Sequence, residues 1–230
     1  TLPDSAQPVL ESGDRLSRDA FERRYGLSSV RKAELVRGVV YVASPVRSSL
    51  HGEPHGLMTH WLVAYALETP GTAWGCDSTV RLSEDTEPQP DVHLRLVGDR
   101  AASRIDRDDY ISGAPELIVE VAASSASYDL HDKRLAYADA GVCEYLVWRT
   151  AERAIDCFRL RDGRFCSAVG ADGVWRSEVF PGLWLDPAAA AAGELDRMRA
   201  VAAAGLASAE HVAFASRSDL GAGGGTSAGP

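Results

Sequence analysis

Apolar residues in this chain follow two periods, and the change from one to the other marks out its elements. Leu57, Trp61 and Tyr65, with Met58, Leu62 and Ala66, recur at the 3.6-residue spacing of a helix face. Pro54 suits the first turn of that helix, and Pro70-Gly71 ends it. An earlier short helix is predicted from the cap residue Ser17 to Gly26. Between the two, residues 33–43 read as a β-hairpin turning at Gly38, with Leu35, Val39 and Tyr41 among its apolar positions. Strands follow over 73–82 and 91–97, separated by an acidic loop at 83–89, and a charged surface loop occupies 98–113.

Residues 116–123 form a nearly unbroken apolar run, the pattern of a strand covered on both faces. A helix over 128–140 is stopped by Gly141, and further strands are predicted over 143–148 and 155–160, with Arg161-Asp162-Gly163 as a turn before Phe165. Asp186-Pro187 opens an alanine-rich helix that runs to Gly205. The order of elements predicts an α/β fold built on a mixed sheet flanked by helices, with no internal repeat. Residues 1–14 read as a flexible arm, 15–186 as the main domain, 187–215 as a helical appendage and 216–230 as a disordered tail rich in Gly, Ser, Ala and Thr.

Composition narrows the function. No apolar run reaches the roughly 18 residues that span a bilayer, and the first residues lack the basic start and apolar stretch of a secretory signal. Cys76, Cys143, Cys157 and Cys166 form no C-x-x-C pair and stand at no zinc-like spacing from a histidine, so they read as free, buried thiols of a cytoplasmic protein. The net charge of −9 argues against a broad, sequence-independent DNA footprint, though not against a cleft that is basic only locally. Among 24 basic residues only Lys32 and Lys133 are lysines. Where so much has become arginine, a surviving lysine points to a site that needs a compact ammonium.

Four residues stand out as candidates for chemistry. Glu120 interrupts Leu117-Ile118-Val119 and Val121-Ala122, where an ionised carboxylate requires a cation or strong donors. Asp91 begins an apolar strand after Gln89-Pro90, and two carboxylates converging from neighbouring strands would form a hard, oxygen-lined metal site. Lys133 falls on the inward face of its helix beside Leu130 and Tyr137, with Asp129 one turn away as a partner. Glu34, near the hairpin, is the fourth. His51 and His55 have zinc-compatible spacing but read as polar residues of a helix start, and Asp77 reads as a turn or strand edge. No nucleotide-binding glycine loop and no G-x-S-x-G elbow is present.

Taken together, Glu34-Leu35-Val36-Arg37-Gly38, Pro88-Gln89-Pro90-Asp91, Glu116-Leu117-Ile118-Val119-Glu120-Val121, Asp129-Leu130-His131-Asp132-Lys133 and Tyr137-Ala138-Asp139-Ala140-Gly141-Val142-Cys143-Glu144-Tyr145 resemble, in that order, the Uma-two family of restriction-endonuclease-type proteins. The resemblance runs from about residue 12 to 215. It implies the PD-(D/E)XK nuclease superfamily and a restriction-endonuclease-like core with a D…E-x-K constellation. Asp91 and Glu120 match that pattern. The lysine expected two positions after Glu120 is Ala122, and the resemblance passes its role to Lys133. It further implies Mg²⁺, with Mn²⁺ as the alternative, held by Asp91, Glu120 and the Val121 carbonyl, an auxiliary role for Glu34, DNA as substrate, and a homodimer as one open assembly state. A non-cleaving nucleic-acid or partner-binding module, or the same scaffold turned to small-molecule chemistry, stays open as an alternative.

Overall fold

A computed structural model describes residues 9–43, 47–123 and 126–222, with side chains to residue 217. The N-terminal elements are α1 (Arg18–Leu27) and the hairpin β1 (Ala33–Val36) and β2 (Val39–Val42). The hairpin turns through Arg37 and Gly38, both at positive φ (51° and 76°), a two-residue connection whose twist matches the strands it joins. Phe21, Ala33, Leu35 and Val40 form a small core of their own, and Leu10 packs into it. Residues 9–14 are therefore not the loose arm the sequence suggests. Gly13 N–H donates to Val40 and Val40 N–H to Asp14, and the buried Leu10 offsets the entropy of ordering this stretch.

One π-helical turn over residues 48–52 leads into α2 (Glu53–Leu67), followed by β3 (Thr72–Cys76) and β4 (Val80–Arg81). The sequence predicts a single strand over 73–82. It is broken at Asp77, whose φ of 51° no continuing strand can accommodate. After that kink β4 leaves the main sheet. It joins β6 (Arg104–Ile105) and β7 (Ile111–Ser112), which lie within the expected surface loop beyond β5 (Val92–Leu96), in a three-stranded sheet of order β4-β7-β6.

The main sheet also contains β8 (Leu117–Ala122), reached from β5 by an antiparallel step. From β8 the chain crosses over through α3 (Ala126–Tyr128), a π-helical stretch (residues 129–133) and α4 (Arg134–Ala140), ending at Gly141 with φ 85°. It returns as β9 (Glu144–Arg149), parallel to β8, which is why a long connection is needed there. β10 (Ala154–Arg161) and β11 (Arg164–Ser167) complete a six-stranded mixed sheet of order β11-β10-β9-β8-β5-β3.

Successive side chains of β8 point to opposite faces. Leu117 and Val119 pack with Met58, Trp61, Leu62 and Tyr65 of α2, and Ile118 and Ala122 pack with Tyr137, Val142 and Tyr145 on the other side. Glu120 shares that second face, toward α4.

The C-terminal part comprises the small pair β12 (Trp175–Arg176) and β13 (Trp184–Leu185), then α5 (Pro187–Ala192), α6 (Leu195–Leu206) and α7 (Ala209–Ala222). The predicted single helix to residue 205 is two, because the chain reverses at Gly193 with φ 79°. These helices do not stand apart. Ala190, Met198 and Phe214 enter the same core as Trp61 and Tyr65, and Trp61 Nε1 and Tyr65 Oη donate to the carbonyls of Trp184 (3.0 Å) and Pro181 (2.9 Å). The end of the expected tail, residues 223–230, lies outside the described residues. Of the cysteines only Cys157 is buried. Cys76 and Cys166 are exposed because they lie on edge strands, correcting the expectation that all four are core thiols. Among the described residues no helix is long and apolar enough to cross a membrane.

A buried carboxylate pins the hairpin to the rest of the chain. Leu35 and Glu87 exchange backbone hydrogen bonds of 3.1 and 2.6 Å, and this holds the Glu87 side chain beneath Arg81 and Glu22. Burial, followed by the hydrogen bond and negative charge of Glu22, pushes the Glu87 carboxyl up to about 8, against the pull of Arg81. A carboxyl whose folded pKa is raised contributes stability that is complete below its unfolded value, near 4.5, and lost as pH rises through about 8. Stability is thus expected to fall between those limits by on the order of 2 kcal/mol once solvent screening is allowed for. Glu87→Gln should flatten that slope in urea melts recorded across the range; a slope identical to wild type would exclude Glu87 as its source.

Candidate active site

The site is supplied by the hairpin, the end of the β3 strand, the start of β5, the end of β8 with its crossover helix, and the π-helical turn leading into α2. Asp91 immediately precedes β5 and is buried against β8. Its Oδ2 accepts Val121 N–H at 2.7 Å, and its own N–H lies 3.4 Å from Glu120 Oε2. In a strand the N–H and C=O of one residue point to the same side, so the Val121 carbonyl is also directed toward Asp91.

Glu120 Oε1 accepts two hydrogen bonds, from Lys133 Nζ at 2.9 Å and from Tyr137 Oη at 2.7 Å. Lys133 Nζ also lies 2.9 Å from Glu34 Oε2 and 3.7 Å from Asp129 Oδ1. Glu34 is fixed in turn by Gln89 N–H, which donates to its Oε1 at 2.6 Å. The four candidates of the sequence therefore lie in one cluster. Asp129 and Lys133, four residues apart in the π-helical stretch, lie on the same buried side of it.

Burial and the neighbouring carboxylates Asp91, Asp129 and Glu34 push the Glu120 carboxyl well above the usual range, with Lys133 pulling the other way. Burial opposes the charge on Lys133, yet Glu120, Glu34 and Asp129 outweigh it and hold the ammonium well above its ordinary pKa. Asp91 moves in the opposite direction to Glu120. Burial alone would raise it, but a hydrogen bond from His51 and the charges of Lys32 and Lys133 keep it far below the usual carboxylate range.

Four residues not singled out for the site, Lys32, His51, His55 and Asp77, complete its open side. Lys32 Nζ lies 2.6 Å from Asp77 Oδ1 and 3.5 Å from Asp91 Oδ1. His51 Nε2 is 3.3 Å from the same Asp91 oxygen, and the hydrogen bond between them raises the His51 pKa. His55 Nε2 donates to the Asp91 carbonyl at 2.9 Å and lies 3.8 Å from Asp77 Oδ2. The two histidines are thus not merely a polar helix start. Their rings stack at 5.7 Å, as residues four apart on one helical face can. Asp77, read as plain punctuation, is the strand-ending kink that presents its carboxylate here. The one available signal was the scarcity of lysine: both lysines of the chain meet in this cluster.

The donor set fits a divalent cation. Glu34, Asp77, Asp91, Glu120 and Asp129 bring five carboxylates against two ammonium groups. His55, Asp77 and Asp91 each offer one donor atom within 4.8 Å of the others. Ligands on opposite sides of an octahedral Mg²⁺ stand about 4.2 Å apart, so a contraction of a few tenths of an ångström suffices. A carbonyl can only accept, so His55 Nε2 carries its proton in this arrangement. The oxygens are the ready donors and the imidazole is a ligand only after it turns.

Solved structures place this architecture. A crystal structure of a putative nuclease belonging to DUF820 from Anabaena variabilis superposes with a TM-score of 0.56 at 11% identity, covering 71% of this chain and 90% of that one. No curated protein matches the chain. The model of the Uma2 family, described as "putative restriction endonuclease", matches residues 18–188, a stretch that contains every site residue named above, and the chain therefore belongs to the Uma2 family.

Proposed function

We propose that the protein is a divalent-metal-dependent endonuclease that hydrolyses phosphodiester bonds in DNA. The observation that carries this reading is the convergence of Asp91 and Glu120 from neighbouring strands with Glu34 of the hairpin and Lys133 of the crossover helix, in a chain of this family. Asp91 and Glu120, with the Val121 carbonyl, would hold Mg²⁺ or Mn²⁺, and Asp77 lies close enough to add an oxygen. The cation, when bound, supplies positive charge at the phosphodiester and lowers the pKa of water.

The chain's own groups do the rest. Lys133 and Tyr137 fix the rotamer of Glu120, and Lys133 ties Glu34 to it. Val121 N–H locks one Asp91 oxygen and leaves the other toward the open side. In the overall reaction the oxygen of water bonds to phosphorus, the bridging ester oxygen leaves with its bonding pair, and one proton passes from the water to that leaving oxygen. The free cysteines fit work in a reducing cytoplasm.

The test is a titration of Mg²⁺ and Mn²⁺ against a panel of DNA and RNA substrates, comparing wild type with Glu120→Ala. Metal-dependent cleavage of DNA by wild type alone is the expected result. The Ala122 that stands where the resemblance expects a lysine favours the rival reading, a module that binds without cutting. Binding to the panel with no cleavage under any metal would establish that reading instead.

A further inference from the structure

We infer that the two lysines divide one task, and that Lys32, not Lys133, meets the phosphate under attack. This rests on the nuclease reading above and names a further catalytic residue within it. An ammonium has three N–H donors. Lys133 has carboxylate oxygens of Glu34, Glu120 and Asp129 at 2.9, 2.9 and 3.7 Å, its side chain is 5% exposed, and the Tyr128 ring covers it with its centre 5.3 Å away. It can reach no phosphate without abandoning buried carboxylates, so its role is to position Glu120 and Glu34.

Lys32 is placed differently. Its side chain is 29% exposed, it sits on the open side of the cluster, and it is bonded to Asp77 and Asp91 only, among the described residues. Its ammonium rests against the same Asp91 oxygen that His51 approaches. Asp91 is a carboxylate that would hold the divalent cation, and Asp77 lies close enough to add an oxygen, so cation and ammonium compete for both. When the cation takes those oxygens, the Lys32 ammonium is freed toward solvent at the tip of a flexible four-carbon stem. There it can contact a non-bridging phosphate oxygen as water adds to phosphorus and the bridging oxygen departs. Arginine, with its planar fork, could not trade carboxylates for phosphate in the same space. That accounts for why both lysines of an arginine-rich chain lie in this one cluster.

The experiment compares wild type, Lys32→Met and Lys32→Arg in three measurements: Mn²⁺ binding by calorimetry, binding of a short DNA duplex in Ca²⁺, and cleavage of that duplex in Mn²⁺. Lys32→Met should bind Mn²⁺ about tenfold more tightly, because a competing charge is gone. It should bind the duplex more weakly and cleave it about 10²-fold more slowly. Lys32→Arg should return Mn²⁺ affinity toward wild type while cleavage stays low. Unchanged Mn²⁺ affinity in Lys32→Met, or cleavage at the wild-type rate, overturns the inference. If wild type cleaves nothing, the nuclease reading fails on that result alone, and equal duplex binding by wild type and Lys32→Met then overturns the role of Lys32 as well.

Discussion

Lys133→Met is expected to lower the melting temperature by about 10 °C, the largest single-residue effect on stability in the site. Removing one partner of a buried ion pair destabilises by about 3–5 kcal/mol, since it leaves the other charge buried without compensation. In a domain of this size each kcal/mol shifts the midpoint by about 2–4 °C. Here the ammonium serves Glu120 and Glu34 at 2.9 Å each and Asp129 at 3.7 Å, so the loss strands more than one carboxylate. Lys133→Arg should also destabilise, because a guanidinium does not fit a pocket that leaves the side chain 5% exposed. The check is a double-mutant cycle: Glu120→Gln should recover part of the stability lost in Lys133→Met. If Lys133→Met melts within 2 °C of wild type, taken as less than about 1 kcal/mol, the ammonium is not what compensates the buried carboxylates.

Asp91→Asn should have the largest effect on activity. The substitution keeps the shape of the side chain and removes the charge that faces Lys32 and His51 at 3.5 and 3.3 Å. The amide can still present its oxygen to Val121 N–H, where the carboxylate now accepts at 2.7 Å, so the strand end should keep its geometry. What is lost is an anionic oxygen donor to a hard cation. Metal-dependent cleavage is expected to fall by at least about 10²-fold, the scale for removing one preorganised electrostatic contact, and Mn²⁺ binding heats should shrink in parallel. Retention of both Mn²⁺ binding and cleavage in a folded Asp91→Asn protein would rule out Asp91 as a metal ligand.

The parts of the site legible in the sequence are those where burial leaves a strong pattern. Glu120 announces itself because it breaks an apolar run covered on both faces, and Lys133 because helical periodicity turns it inward. The hairpin is legible from its alternation around Gly38. What escapes notice depends on local backbone geometry with no periodic signature. Asp77 reverses the strand at φ 51°, a conformation Asp tolerates but does not require. His51 meets Asp91 from a π-helical turn before α2, and Lys32 lies in a stretch with no regular structure before β1. The break between α5 and α6 at Gly193 is hidden by uniform alanine, which gives no face to follow.

The hairpin's attachment to the body of the protein also fixes where the molecule opens first. Its apolar cluster around Phe21 is separate from the two cores that clasp the sheet. It is joined to the rest by the Leu35–Glu87 backbone bridge and by polar latches: Lys32 to Asp77, Glu34 to Lys133, Arg37 to Asp139 and Tyr41 to Asp132 at 2.9 Å. The exposed latches, Lys32 to Asp77 and Arg37 to Asp139, weaken in salt, whereas the buried Glu34–Lys133 pair is screened little and apolar cores not at all. Amide protons of β1 and β2 should therefore exchange with solvent through a local opening that raised ionic strength promotes, while those of β8 and β9 exchange only with global unfolding. Each such opening carries Lys32 and Glu34 away from Asp91 and Glu120, so the cluster comes apart as a unit while the sheet beneath it stays folded.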